Sequence, residues 1–297
     1  MRKVPLEGMP AGTFRPHGIS FSNSTKKLYV VNHQDDHPRI EIFQVVNPDS
    51  FESVALKHVK TIVVAQLGKG MVNSVAEGAL DGSDIYLTQW IATPLPAKGS
   101  DHPSSASEVL NALRGIPLAL LQATADVPFV GKLGSTGVWR CVVATGECEK
   151  LEGGMYMANG LAFTPDRAVL YVVDLLGRTI SLYTRDAKTG QLTFKFIQDT
   201  PHAVDNIDIR PVSGGDNAWE MILGTIPDLL AYVTEAVVKD KRPLAGGVMT
   251  AKKISWALGF KDVVIHSGTK VSTLSTGAKA GDKILAGGPK TKGVLVC

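Results

Sequence analysis

The strongest constraint in this sequence is an internal repeat, because repeated units of similar length fold into similar structures. Two segments align residue by residue, HGISFSNSTKKLYVVNH at His17–His33 and NGLAFTPDRAVLYVVDL at Asn159–Leu175. Each contains a short apolar segment, a polar turn and a second apolar segment. Looser copies begin at Asn73, Asp205 and Lys270. About five copies of one hairpin-like unit therefore organise the chain.

The units recur about every 45 to 65 residues, a spacing typical of blade-type repeats, with one longer gap between Asn73 and Asn159. Further strand-like stretches lie between the copies: Arg39–Val46, Val59–Ala65, Ile180–Asp186 and Leu192–Gln198. Four strands per unit make the blade of a β-propeller. Short, regularly spaced strands also suit a β-sandwich, but a sandwich does not require equivalent units. The sequence therefore predicts an all-β protein in which residues 1–297 form a single β-propeller domain.

Polar side chains open four of the copies at the same position. They are His17, Asn73, Asn159 and the adjacent pair Asp205 and Asn206. Because the innermost strand of each blade begins near the propeller axis, we expect these side chains to meet there. Three amides and one carboxylate offer the oxygen ligands that Ca²⁺ prefers. Asparagine and aspartate also begin strands simply by bonding nearby backbone, but their recurrence at one repeat position favours a metal site.

Composition excludes several classes of function. The 297 residues are 44% apolar and 20% charged, which is enough for a core. The net charge of +3 comes without long basic blocks, which argues against a nucleic-acid partner. No apolar run reaches the roughly 18 to 20 residues of a membrane span. The first residues lack the apolar segment of a signal peptide, and the compartment stays unknown.

With these features in view, the chain resembles the calcium-dependent paraoxonase/arylesterase family of six-bladed propeller lactonases and esterases. The motifs that carry the resemblance follow the family's order: Phe14–Phe21, Tyr29–His33, Ala158–Asp166, Val204–Ile209 and Gly293–Cys297. Gluconolactonase-type propellers share the fold, but the HGIS and VVNH motifs together favour the paraoxonases.

The resemblance implies a role for each candidate residue. The ligands of the catalytic calcium would be Asn73, Asn159, Asp205 and Asn206. His17 would be the base that activates water, with His33 as its partner and Asp205 as the alternative base. The backbone carbonyl of Ile19 matches a ligand of the family's second, structural calcium.

The chain also departs from the family pattern. Family members carry one further repeat before the HGIS motif, with a Glu–Asp pair that serves both calcium sites, whereas 16 residues precede His17 here. We therefore expect one calcium site, weakened because Asp205 is its single anionic ligand. The second site is doubtful, since a carboxylate position after Asn73 is occupied by Ser74. Either Met1 is an internal methionine of a longer product, which is the simpler explanation, or the chain is a shortened relative.

An insert lies within residues 91–138, and we expect a helical, lid-like segment over about residues 100–130. In its core, residues 105–129, leucine and isoleucine recur at near-helical spacing, and Ser105 and Glu108 have capping-box spacing. Pro117 is expected to end or kink the first helix. The insert either packs on the propeller face, or covers the axial site as a lid that shapes an apolar pocket, or forms a surface for a membrane or lipid.

The three cysteines are too few for a disulfide framework. Cys141 and Cys148 flank a predicted hairpin turn, where facing positions can bridge if the geometry allows. We expect two separate thiols. In the resembled family the cysteine matching Cys297 pairs with one near the N-terminus that this chain lacks, so an unpaired Cys297 is implied.

The sequence thus predicts a calcium-dependent hydrolase of lactones or aryl esters acting on a small-molecule substrate. Two alternatives stay open. One is a non-catalytic propeller that binds a ligand or partner after losing a metal ligand. The other is a sugar-lactone hydrolase of the gluconolactonase kind, which would prefer more polar substrates.

Overall fold

The computed structural model describes residues 4–12, 14–34, 36–50, 52–68, 71–91, 136–211, 219–227, 245–254, 257–266, 275–280, 283–288 and 295–296. The insert at residues 105–129 lies outside this part of the chain, so its helical character stays a prediction. Within the described ranges the structure is almost entirely strand, with one 3₁₀ turn at Ala65–Leu67. No helix in these ranges has the length and apolar character needed to cross a membrane.

Twenty strands are described. They are β1 (Leu6–Glu7), β2 (Pro16–Ser22), β3 (Lys27–Asn32), β4 (Arg39–Val46), β5 (Ala55–Val63), β6 (Met71–Glu77), β7 (Asp84–Ile91), β8 (Thr136–Val142), β9 (Cys148–Met155), β10 (Ala158–Phe163), β11 (Val169–Asp174), β12 (Thr179–Arg185), β13 (Leu192–Asp199), β14 (Ala203–Pro211), β15 (Trp219–Ile226), β16 (Gly246–Ile254), β17 (Ala257–His266), β18 (Thr276–Ala280), β19 (Lys283–Gly287) and β20 (Leu295–Val296).

The described strands form one sheet for each repeat copy. Blade 1 is β2-β3-β4-β5, with the short β1 added in parallel to β5. Blade 2 is β6 to β9, blade 3 is β10 to β13 and blade 4 is β14 to β17, all as antiparallel meanders. The fifth copy falls on the three-stranded sheet β18-β19-β20. The all-β propeller prediction is confirmed at the level of four blades, whereas the six-bladed form stays a prediction.

The core lies between neighbouring blades. Tyr29 and Ile42 of blade 1 share a buried cluster with Ile85 and Leu87 of blade 2. Two further clusters join blade 2 to blade 3 and blade 3 to blade 4. Blades 2, 3 and 4 each share a buried cluster with both neighbouring sheets. This burial stabilises the stack by about 25 cal/mol for each Å² removed from water.

The first strand of each blade is the inner strand. In chain order the inner strands are β2, β6, β10 and β14, followed by β18, and each contacts the next. They line a cavity of about 950 Å³, and its lining residues include Gly18, Ser74, Asn206, Arg167 and Arg210. The starts of the inner strands therefore lie side by side, as the repeat predicts.

The expectation of two separate thiols at Cys141 and Cys148 is wrong. The two residues are direct partners across the β8–β9 hairpin, with 4.0 Å between their Cα atoms, and their sulfur atoms are bonded. The neighbouring pair, Val142 and Glu147, is joined by a backbone hydrogen bond. Cys141 and Cys148 therefore form a non-hydrogen-bonded pair, in which side chains of antiparallel strands approach most closely.

Candidate functional site

Each of the four inner strands carries a β-bulge at the position that the repeat singled out. Two residues of the inner strand oppose one residue of the next strand at His17-Gly18, Asn73-Ser74, Asn159-Gly160 and Asp205-Asn206. A bulge bends its strand and redirects the side chains of the extra residue. The sequence-predicted histidine, asparagines and aspartate thus occupy equivalent positions on four successive strands.

Close backbone contacts between blades fix these bulges against one another. A Cβ atom on Gly18 would lie 2.1 Å from the Asn73 carbonyl oxygen, and one on Gly160 would lie 2.8 Å from the Asp205 carbonyl oxygen. Such distances leave room only for glycine. Glycine after the polar residue is therefore required at two of the four bulges because the next inner strand passes there.

Thr88 of β7 joins blades 2 and 3 at the same level. Its buried hydroxyl group accepts a hydrogen bond from the Ser74 N–H at 3.1 Å and donates one to the Asn159 carbonyl. One hydroxyl group thereby connects the Asn73-Ser74 bulge to the Asn159-Gly160 bulge.

The three asparagines have their side-chain nitrogen atoms engaged. Asn73 Nδ2 lies 3.2 Å from His17 Nε2, and Asn206 Nδ2 donates to the Ser275 carbonyl at 3.0 Å. Asn159 is hydrogen-bonded to the Asp205 carboxyl group through Nδ2, because its Oδ1 has no partner. Asn159 is 1% exposed, and a buried carbonyl oxygen without a partner costs about 1 to 3 kcal/mol. A cation at this oxygen would remove that cost.

Asp205 supplies the negative charge of this group. Withdrawal of its carboxyl group from water raises its pKa to about 6, while hydrogen bonds from Ser275 and Asn159 act in the opposite direction. A bound cation would favour the ionised form and offset the cost of desolvation. The donor set of one carboxylate and amide oxygens fits the hard-oxygen preference of calcium. In the described ranges no three His, Cys, Asp or Glu side chains are clustered closely enough to hold a metal, so amide oxygens would have to supply the remaining ligands.

The two histidines lie beside this group and stack on each other. The His17 and His33 ring centroids are 4.9 Å apart and their planes differ by 20°. His33 Nε2 donates to the Val72 carbonyl at 2.7 Å, which fixes its tautomer. Desolvation, followed by repulsion from His33, lowers the pKa of His17, although part of its side chain is exposed. Desolvation also lowers the pKa of His33, so both rings are neutral at neutral pH.

The backbone around the histidines and around Asn159 is held by one repeated contact, which we call the strand-end clamp. In this clamp, the side chain of the last residue of the second strand accepts a hydrogen bond from a backbone N–H just before the first strand. The donor is the residue two positions before the first residue of the bulge. Asn32 Oδ1 accepts from Arg15 N at 2.9 Å in blade 1, and Asp174 Oδ1 accepts from Met157 N at 3.0 Å in blade 3.

Ile19 is placed differently from the other predicted ligands. It follows the His17-Gly18 bulge and lines the axial cavity with a side chain that is 65% exposed. Among the described residues lining that cavity, Asp208 carries the carboxylate, and it is paired with Arg210 at 2.8 Å. Within the described residues, the second calcium site therefore lacks an uncommitted carboxylate, and the role of Ile19 stays a prediction.

Sequence reasoning missed three residues of this region, namely Thr88, Trp90 and Ser275. Trp90 stacks on His17 with ring centroids 5.9 Å apart. Its Nε1 is buried and, among the described atoms, lacks a hydrogen-bond partner. Trp90 and His33 occupy equivalent positions in their copies, near the end of the second strand, so the repeat alignment could have found Trp90. Thr88 and Ser275 act through hydroxyl or backbone groups, which leave no such signal.

Comparisons with known proteins agree with the motifs. The family model described as the SMP-30/gluconolactonase/LRE-like region matches residues 125–219. Serum paraoxonase/arylesterase 2 of Gallus gallus is 26% identical over 213 residues, which is 70% of this chain and 49% of that protein. Serum paraoxonase/arylesterase 1 of Mus musculus is 26% identical over 208 residues, 68% of this chain and 47% of that protein.

The chain therefore spans about half the length of the curated relatives it matches. Among solved structures, the nidogen/laminin complex matches 95% of this chain and 75% of its own chain, with a TM-score of 0.52 and 12% identity, which is a similarity of fold. The repeat motifs, the blades and these matches make the chain similar in sequence to the serum paraoxonase/arylesterase proteins and to the SMP-30/gluconolactonase/LRE-like region, on a β-propeller fold.

Proposed function

We propose that this protein hydrolyses lactones or aryl esters with the help of calcium bound at the bulges of blades 2, 3 and 4. One observation carries the proposal: the buried Asn159 Oδ1 has no hydrogen-bond partner among the described atoms and belongs to a side chain that bonds the Asp205 carboxyl group. The similarity to paraoxonase/arylesterase proteins supports an ester or lactone substrate.

The residues that would hold calcium are Asn73, Asn159, Asp205 and Asn206. When bound, the ion would supply a positive charge that polarises the substrate carbonyl group. The protein itself supplies the base, His17, and the side chains that hold the His17 ring in place. Asn73 Nδ2 lies at hydrogen-bond distance from His17 Nε2, so the lone pair of that nitrogen is directed toward the ligand side chains.

His17 is neutral at neutral pH, and its Nε2 can take a proton from an attacking water molecule when that water replaces the Asn73 amide group at this nitrogen. The same proton then passes to the alkoxide or phenolate oxygen that leaves, so water and ester give acid and alcohol without another reagent. His33 supports the His17 ring by stacking, with its own ring held by the Val72 carbonyl. Asp205 is the second candidate base because its raised pKa lies closer to neutrality.

The test is hydrolysis of an aryl acetate and of an apolar lactone by the chain in excess calcium and in chelator. We expect calcium-dependent turnover that falls about 100-fold or more in His17→Gln, the lower end of general-base effects. Calcium affinity should be kept in this variant. His37→Gln is the matched control, since His37 bonds the Gly68 carbonyl away from the bulges, and it should retain full turnover. Equal turnover in His17→Gln and in the control would refute the role of His17.

Two other functions are separated by the same assay. A non-catalytic binding propeller would bind calcium or the substrates without turnover. A gluconolactonase-like enzyme, which the family-model match at residues 125–219 favours, would prefer a polyhydroxylated sugar lactone. Adding one such lactone to the substrate panel decides between them.

A further inference from the structure

We propose that a buried hydrogen-bonded pair, Asn32 and Glu41, positions both histidines for catalysis. This inference deepens the proposed function and rests on it. Neither residue touches the calcium ligands or the rings directly. Both are 2% exposed, and they lie in neighbouring strands of blade 1.

Asn32 fixes the backbone that carries His17 relative to the backbone that carries His33. Its Oδ1 accepts the Arg15 N–H at 2.9 Å, and the next residue, His33, donates its own N–H to the Arg15 carbonyl at 3.1 Å. Both backbone groups of Arg15 are thereby tied to two consecutive residues. His17 begins its bulge two residues after Arg15, so the separation of the stacked rings depends on this clamp.

Glu41 determines which way the Asn32 amide group faces. Asn32 Nδ2 donates to Glu41 Oε1 at 2.8 Å, and Thr61 Oγ1 donates to Glu41 Oε2 at 2.6 Å. His58 Nε2 lies 3.0 Å from the same oxygen. A carboxylate only accepts hydrogen bonds, so it holds the amide nitrogen on its own side and the amide oxygen toward Arg15.

Blade 3 shows that the clamp itself does not need this pair. There Asp174, at the equivalent position, accepts the Met157 N–H, and the adjacent Leu175 N–H bonds the Met157 carbonyl at 3.0 Å. An aspartate at position 32 would instead face the Glu41 carboxylate. The amide–carboxylate pair therefore distinguishes blade 1, which carries the histidines, from blade 3. In blade 1 the pair holds the Asn32 amide group in a single orientation.

The competing explanation is a polar network that merely stabilises blade 1. A reversed pair separates the two explanations. Asn32→Asp places two carboxylates together, and Glu41→Gln replaces an acceptor-only group by an amide that can present either its oxygen or its nitrogen to Asn32, so the Asn32 amide loses its fixed orientation. In the double variant, Gln at position 41 can donate to Asp at position 32 and still accept from Thr61, so every bond of the pair is restored with opposite polarity.

We would measure kcat in saturating calcium, the calcium dissociation constant, and the imidazole resonances of His17 and His33 in the histidine-labelled chain. Each single variant is expected to lose about tenfold or more in kcat, as small misplacements of catalytic groups do, and to shift both imidazole resonances. Calcium affinity should stay within about twofold, because the calcium ligands lie on blades 2 to 4 and a tenfold change would need about 1.4 kcal/mol. The double variant should recover both kcat and the resonances.

Single variants with unchanged kcat and unchanged resonances would overturn the inference. A double variant that stays as impaired as the singles would overturn it too, because the loss would then not lie in the pair. If the parent chain binds calcium but hydrolyses no ester or lactone, the proposed function fails. The positioning role is then decided by the imidazole resonances, which do not depend on turnover.

Discussion

At the scale of single residues, the surroundings decide what a polar side chain does in this protein. Asp174 and Asn32 occupy equivalent positions and each accepts a backbone N–H, but Asn32 also donates to the Glu41 carboxylate. Burial raises the pKa of Asp174, and the backbone N–H groups that surround it act in the opposite direction. The Asp174 carboxylate therefore has a structural role: it accepts hydrogen bonds from the backbone that immediately precedes Asn159.

Replacing Asp174 by alanine should destabilise the fold strongly. The change removes hydrogen bonds from the backbone N–H groups of Tyr156, Met157 and Gly177, which lie 2.8 to 3.0 Å from the carboxylate. We expect a loss of about 3 kcal/mol or more in the free energy of unfolding, since buried donors left without acceptors are costly. Urea unfolding gives the value. Asp166→Ala is the control, because Asp166 caps an exposed turn, and an equal loss in both variants would contradict the account.

At the scale of secondary-structure elements, the β-bulge is the unit from which the site is built. The repeat alignment located the four bulges from the sequence because polar residues recur there. The bulge geometry itself could not be predicted, since it depends on the pairing register between strands. Glycine at positions 18 and 160 follows from the close passage of the next blade, a tertiary contact that no local pattern reveals.

Gly18→Ala should therefore disturb the site through the backbone. The added methyl group would lie 2.1 Å from the Asn73 carbonyl oxygen and must push blades 1 and 2 apart. We expect a loss of about 2 kcal/mol or more in the free energy of unfolding, as in overpacked cores. Gly153→Ala is the matched control, because its Cβ would meet the flexible Lys150 side chain first and should cost within about 0.5 kcal/mol. A tolerated alanine at position 18 would argue against close blade contact there.

The β8–β9 hairpin allows a test by thiol counting. Spacing alone did not reveal the bond between Cys141 and Cys148, because the approach of two facing positions depends on which pairs along the hairpin are hydrogen-bonded. The chain has three cysteines, so one thiol should react when the protein is unfolded without reductant, and three should react after reduction. Three reactive thiols before reduction, in protein purified under oxidising conditions, would contradict the bond.

At the scale of the whole molecule, the repeat was enough to predict the propeller class. Equivalent units need equivalent environments, and the described structure supplies them most fully in blades 2, 3 and 4, which pack against a sheet on each side. The candidate ligands were recognisable because polar side chains recur at the same position of the repeat. The Asn32–Glu41 pair was not recognisable, since a buried glutamate in a strand has no functional meaning until its neighbours are known.

The central claim is that the side chains at the bulges bind calcium, and thermal unfolding in excess calcium and in chelator tests it most directly. A ligand that binds only the folded state, at about 100 times its dissociation constant, adds about 2.7 kcal/mol of stability. We predict a clear calcium-dependent rise of the midpoint for the chain and for the control Asp199→Asn, an exposed position on β13, and none for Asp205→Asn. An unchanged midpoint for the parent chain, or an equal rise in all three proteins, would contradict the account.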